Sequence, residues 1–175
     1  MKSIVYFYSK KGNNEFIANK LAKELNCDIE KIRPRADVFF FYLIKLNFGI
    51  KKLINNPSDY DRIFLVGPVW MGRFICPLKS FIKKYMDQIN SLYFVTCCGS
   101  GDEVKYEKFG HGHVFNEIKN ILGNKLIRCD AMPIGLILPE DKRKDGDSVM
   151  KARLKESNFT NEIKARFDKY ISDIN

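Results

Sequence analysis

The sequence predicts an α/β protein built on a parallel sheet, and three observations predict it. Apolar β-prone runs recur along the chain. Each is followed by a turn rich in glycine or small polar residues, and most of these turns open into a stretch of helical period. The runs are continuous rather than alternating, as strands covered on both faces require. A length of 175 residues suits one domain spanning 1–175, with a single composition throughout and no repeats.

The first run is Ile4-Val5-Tyr6-Phe7-Tyr8, and the turn behind it is Ser9-Lys10-Lys11-Gly12-Asn13-Asn14. From Glu15 the period becomes helical, with Ile17, Ala18, Leu21, Ala22 and Leu25 on one face. Cys27 to Ile32 alternates as a second strand, which Pro34 stops. Ile63-Phe64-Leu65-Val66-Gly67 is the third strand, followed by the loop Pro68-Val69-Trp70-Met71-Gly72-Arg73 and a helix from Leu78 to Tyr85. Leu92 to Cys97 is the fourth, closed by Gly99-Ser100-Gly101-Asp102. A helix over Val114 to Leu122 and a strand-like stretch from Leu126 to Leu138 complete the core. Phe159, Ile163, Phe167 and Ile171 mark an amphipathic last helix, while the charge of Asp141 to Asn158 predicts disorder before it.

In a parallel sheet of this kind, ligands sit beyond the carboxyl ends of the strands. That rule selects the loops after Tyr8, Gly67 and Cys97. The first opens a helix, whose unpaired N–H groups and dipole favour an anion. Ser9, Asn13 and Asn14 add neutral donors there, Lys10 and Lys11 add charge, and Gly12 allows close backbone approach, so phosphate is the natural guest. The spacing matches neither GxxxxGK[ST] nor GxGxxG, which argues against a nucleoside-triphosphatase or a dinucleotide fold. Trp70, the single tryptophan, stands at the carboxyl end of a strand, where a flat ring would stack on another. In the third loop, Gly99 and Gly101 flank Ser100 and suit backbone hydrogen bonds.

Ile4 to Asn14 resembles the opening strand and phosphate loop of flavodoxins. Tyr60 to Arg73, continued by Pro77-Leu78 and Phe81-Ile82, is similar to the third strand and isoalloxazine loop of that family. The resemblance covers most of residues 1–139. It implies a flavodoxin-like three-layer α/β/α sandwich with a five-stranded parallel sheet of order 2-1-3-4-5. It also implies flavin mononucleotide (FMN) as cofactor, with phosphate on Ser9 to Asn14 and the flavin ring held by Pro68, Val69, Trp70, Met71, Gly72 and Arg73. The resemblance implies that Cys98, Gly99, Ser100, Gly101 and Asp102 hold the ring as well. Backbone groups of Met71 to Arg73 would lie near its N5 and O4 edge. The family's phosphate loop usually carries hydroxyl residues where this chain has Lys11 and Asn14, and its electron carriers are acidic where this chain is +9.

The function implied is electron transfer with a redox protein or a small-molecule donor or acceptor. An FMN-dependent oxidoreductase acting on a quinone, a porphyrinogen or NAD(P)H is the second class, and a flavin-free binding module of the same fold the third. No catalytic side chain stands out. The positive charge is dispersed over helix faces apart from Lys142-Arg143-Lys144, and no nucleic-acid partner is expected.

No leader is visible at the start, which predicts the cytoplasm. The five cysteines are odd in number and lack metal-ligand spacing, so they read as reduced, mostly buried thiols; a redox role is open only to adjacent Cys97-Cys98. His111 and His113, with no carboxylate or cysteine placed around them, read as helix-capping or surface residues rather than metal ligands. Asp102-Glu103 reads as a pair at a helix start. The widest apolar segment, Val38 to Ile54, carries two helical stripes, through Phe39, Tyr42, Leu43, Leu46, Ile50 and Leu53 and through Phe40, Phe41, Ile44 and Phe48. It is too short, and too broken by Lys45 and Asn47, to span a bilayer. It reads as a buried helix, a roof over the flavin or a homodimer contact.

Overall fold

A computed structural model of the chain describes residues 1–36, 48–99 and 110–175. Its strands are β1 (Ser3–Phe7), β2 (Asp28–Lys31), β3 (Arg62–Val66), β4 (Val69–Trp70), β5 (Arg73–Phe74), β6 (Leu92–Cys98) and β7 (Leu126–Pro133). Five of them form one parallel sheet in the order β2-β1-β3-β6-β7, and β4 and β5 pair apart as an antiparallel hairpin. Counting the sheet strands alone, the order is 2-1-3-4-5, the one expected.

The helices are α1 (Asn13–Glu24), α2 (Cys76–Tyr85), α3 (His111–Leu122), α4 (Gly146–Lys151) and α5 (Asn161–Ile174). Alternate residues of each central strand feed opposite cores. Ile4, Tyr6, Ile63, Leu65 and Phe94 meet Leu78, Phe81 and Ile82 of α2 and Val114 and Ile118 of α3. Val5, Phe7, Phe64, Val66 and Val95 meet Ile17 and Leu21 of α1 and Ile163, Phe167 and Tyr170 of α5. The layers are therefore helix, sheet, helix, and the carboxyl ends of β1, β3 and β6 share one edge.

Two close approaches fix that edge. A Cβ on Gly67 would stand 2.6 Å from Leu78 Cδ1, so the glycine lets α2 seat against the end of β3. Beyond Val66, β3 no longer pairs with β6; its last bond is Gly67 N–H to the Val95 carbonyl at 3.1 Å. Cys97 lies two residues further along β6 and faces the same side. The buried side chain of Asn14 takes up that position: Asn14 Nδ2 donates to the Cys97 carbonyl at 3.0 Å, and the Cys97 N–H donates to Asn14 Oδ1 at 2.8 Å.

Three expectations are corrected. The stretch from Leu126 is a strand only to Pro133, whose fixed backbone ends it, and Ile134–Ile137 turns as a 3-10 helix. Residues 141–158 are structured: Asp145 caps α4 through Ser148, and Val149, Ala152 and Leu154 are buried beside α1, an apolar gain that outweighs the local charge. For Val38 to Ile54, residues 38–47 lie outside the described ones, and 48–54 are not helical. Gly49 has φ 73°, Pro34 and Ile50 form an antiparallel bridge, and Lys51 N–H donates to the Arg33 carbonyl at 2.8 Å. Buried Glu30 then grips the returning chain, accepting from the N–H groups of Ile54 and Asn55, each at 2.8 Å.

His111, expected at a cap or on the surface, is fully buried as the first residue of α3, with its ring 5.2 Å from that of Phe115; His113 is exposed. Burial lowers the His111 pKa and keeps the imidazole neutral.

Two measurements check this framework. Asn14→Ala leaves the Cys97 N–H and carbonyl buried and unpaired, which costs about 2–4 kcal/mol for the two groups and lowers the urea midpoint; an unchanged midpoint would show that the amide bridge holds nothing. Because the His111 pKa is lower folded than unfolded, the unfolded state takes up the extra proton. Stability therefore falls as pH drops below about 6.5, the unfolded histidine value. Urea midpoints of wild type and His111→Gln at neutral and mildly acid pH should converge as pH falls.

Candidate functional site

The first candidate loop is shaped by Gly12, the N-cap of α1, whose φ of 92° few other residues adopt. It has no capping side chain, so the amides of the first helical turn are not closed from outside. A Cβ placed on Gly12 would meet nothing within 4 Å, so the space above the helix start is open. Ser9 Oγ accepts the Gly12 N–H at 3.1 Å, which turns the loop and leaves the hydroxyl hydrogen to donate. These are the features an anion requires.

The two asparagines of the loop act differently from the expectation. Asn14 is committed to Cys97. Asn13 Nδ2 donates to the Ala152 carbonyl at 3.2 Å, and the Leu154 N–H donates to Asn13 Oδ1 at 3.0 Å. Both side chains thus position the loop, and only their backbone N–H groups face the helix end. Lys11 is exposed, with Nζ 3.5 Å from the Met150 carbonyl, which also accepts from Arg153 Nη1 at 2.9 Å. Lys10 Nζ stands 5.8 Å from the centre of the Trp70 ring.

The second loop is a hairpin rather than an irregular turn. Val69 pairs with Phe74 and Trp70 with Arg73. The two linking residues, Met71 and Gly72, have φ of 49° and 68°, the two-residue type I′ geometry that matches strand twist. Methionine is a costly choice at positive φ, and its side chain is 68% exposed at the hairpin tip. Trp70 is half-buried, its ring centre 6.4 Å from that of Tyr8 at 67°. Pro68 and Val69 are half-buried before it, and Arg73 is exposed after it. The hairpin therefore brings an indole and a run of backbone groups beside the end of β1.

From the third loop, Cys98 ends β6 buried and Gly99 follows it exposed; Ser100, Gly101, Asp102 and Glu103 lie outside the described residues. All five cysteines are free thiols. Cys97, fully buried, has its pKa pushed well up by desolvation, with the neighbouring Cys98 adding to it, so it is not a thiolate at neutral pH. Among the described residues, no group of three histidine, cysteine or acidic side chains could hold a metal ion.

One component had escaped the sequence reading. Residues 145–154 run alongside both the first and third loops. A Cβ on Gly99 would lie 3.2 Å from Val149 Cγ1, and Asn13 holds Ala152 and Leu154. The available signal was the cap pair Asp145 and Ser148 ahead of three spaced apolar residues. The arrangement can hold an anion at the start of α1 and a flat ring along the hairpin, with residues 145–154 as an outer wall.

No family model matches the chain, and no curated protein matches it. Solved structures do. A provisionally assigned flavoprotein of Bacteroides eggerthii DSM 20697 is 16% identical, with a TM-score of 0.61 over 85% of this chain and 93% of its own. A flavoprotein of Lactobacillus acidophilus NCFM, solved in complex with FMN, is 15% identical, with a TM-score of 0.55 over 86% and 97%. An FMN-dependent NADH-azoreductase of Bacillus anthracis is 10% identical, with a TM-score of 0.52 over 99% of both chains. The fold of this chain, with its 2-1-3-4-5 parallel sheet between two helical layers, is the flavodoxin-like one.

Proposed function

We propose that the chain binds FMN non-covalently and passes electrons through it. The supporting observation is the juxtaposition at one sheet edge of an open, glycine-capped helix start and a hairpin carrying Trp70. FMN bears a dianionic phosphate at one end and a flat tricycle at the other, and this edge offers a complement to each. The backbone N–H groups around Gly12 to Asn14, the Ser9 hydroxyl and Lys11 would hold the phosphate. Trp70 and the backbone of Met71 to Arg73 would flank the ring, and Cys98 to Asp102 would also hold it. Bound FMN supplies the electron-accepting and electron-donating ring, while the protein orients it and limits access of water. Likeness in fold to a protein solved with FMN agrees with the reading.

Replacement of loop hydroxyls by Lys11 and Asn14 is compatible with phosphate binding on this geometry. Asn14 fixes the loop from behind, and Lys11 contributes charge from the front. Arg73, exposed at the end of the hairpin, would favour a negatively charged reduced ring.

Trp70, as the single tryptophan, gives a direct test. FMN should quench its emission saturably, and the protein as purified should be yellow and release FMN on denaturation. Followed by flavin fluorescence, Trp70→Ala should raise the Kd about five- to tenfold, the worth of one aromatic pair. Asn13→Ala, which frees the wall from the phosphate loop, should weaken FMN about tenfold and leave riboflavin, which lacks the phosphate, almost unaffected. No quenching and no colour would refute the proposal. Bleaching of the flavin by NADH alone would place the chain with the oxidoreductases rather than the carriers.

A further inference from the structure

We propose that the surface around the return of the β2–β3 crossover is a docking site for anionic lipid bilayers. Six cationic side chains are exposed there: Arg33, Arg35, Lys51, Lys52, Lys83 and Lys84. The first four are brought together by the pairing of residues 33–35 with 49–51, through Lys51 N–H to the Arg33 carbonyl and Arg35 N–H to the Gly49 carbonyl. Lys83 and Lys84 join from α2, since one cavity of about 350 Å3 is lined by Arg35, Phe48, Lys83 and Lys84. None of the six forms an ion pair with a described carboxylate. Other cations of the chain do have carboxylate partners, as in Lys20 with Glu156, Arg128 with Asp130, Arg143 with Glu162 and Lys164 with Asp168.

Apolar side chains stand among these cations. Phe48 is 52% exposed and Ile54 is 82% exposed. Ile54 is held in place by its own backbone, whose N–H is gripped by Glu30, so its outward side chain belongs to an ordered surface.

Lipid fits this chemistry better than a protein or a nucleic acid. Protein interfaces are depleted in lysine, and four of the six cations are lysines. A nucleic acid offers no partner to an exposed isoleucine. A bilayer accepts both kinds of group at once: anionic headgroups attract the cations, and the apolar side chains enter the headgroup and acyl boundary. Among the described residues no helix is long and apolar enough to cross a membrane, so the contact is one of attachment at the surface.

Vesicle co-sedimentation of the full chain tests the proposal and needs no flavin, so it stands or falls separately from FMN binding. Vesicles of phosphatidylcholine with about one third phosphatidylglycerol should bind the protein at low salt, and pure phosphatidylcholine should not. Binding should fall at least tenfold when salt is raised to about 0.5 M, where the screening length is only a few ångströms. Lys51→Glu combined with Lys52→Glu should also lose at least tenfold. Ile54→Ser should weaken binding several-fold and leave the salt dependence unchanged. All three side chains are solvent-exposed, and matching thermal melts will show that the variants are folded. Absence of binding to the anionic vesicles, equal binding to the neutral ones, or wild-type binding by the Lys51/Lys52 variant would overturn the proposal. Capture by soluble polyglutamate without capture by vesicles would also overturn it, in favour of an acidic protein partner.

Discussion

Where β3 stops and β6 continues, a peptide group is left facing a missing strand, and the amide of Asn14 completes the ladder. A carboxamide is the only short side chain that both donates and accepts in the spacing of a peptide; aspartate lacks the donor and serine the reach. The bond pair ties the second residue of α1 to the central region of the sheet beside the proposed phosphate loop. The direction of the helix start, the conformation of Gly12 and the opening above it follow from that tie. Asn13 repeats the device outward, pairing with Ala152 and Leu154 as a strand would. Two consecutive asparagines therefore lace the loop on one side to the sheet and on the other to residues 145–154.

The same residues show what sequence can and cannot convey. The strands were legible because Ile4, Val5, Tyr6, Ile63, Phe64 and Leu65 are buried on both faces, and such burial leaves an unbroken apolar run. The proposed ligand edge followed from strand direction alone. Asn13 and Asn14 were identified as residues of the loop, yet their side chains turn away from the ligand side. An amide that faces a ligand and one that faces a backbone 83 or 139 residues away look alike in sequence. The wall of residues 145–154 was hidden for a related reason: its local charge suggested disorder, while its stability comes from Val149, Ala152 and Leu154 contacting distant elements. The hairpin at Trp70 was read as a loop because Met71 is not a residue that announces positive φ.

Met71 connects strain to site. A left-handed methionine costs about 1–2 kcal/mol, and it persists because strand pairing on both sides dictates the turn: Trp70 must sit opposite Arg73 and Val69 opposite Phe74. The hairpin is thereby rigid at its base and exposed at its tip, which suits backbone groups held ready for a ring edge. Tyr8 backs Trp70 from the end of β1, so the indole is braced by the same strand that leads into the phosphate loop. Both halves of the proposed site are thus anchored at the end of β1.

Charge organises the rest of the surface. With thirty basic against twenty-one acidic residues, a uniform spread would leave small unpaired excesses everywhere. Lys151, Lys164 and Lys169 are matched by carboxylates one helical turn away, whereas six exposed cations without such partners stand around the return of the β2–β3 crossover. Strand β2 ends at the same sheet edge as β1 and β3, and the basic, apolar-studded surface runs from there along the flank of the sheet to Lys83 and Lys84 in the last turn of α2. The proposed attachment would give that unmatched charge a physical role: headgroups would supply the anions that the chain itself does not.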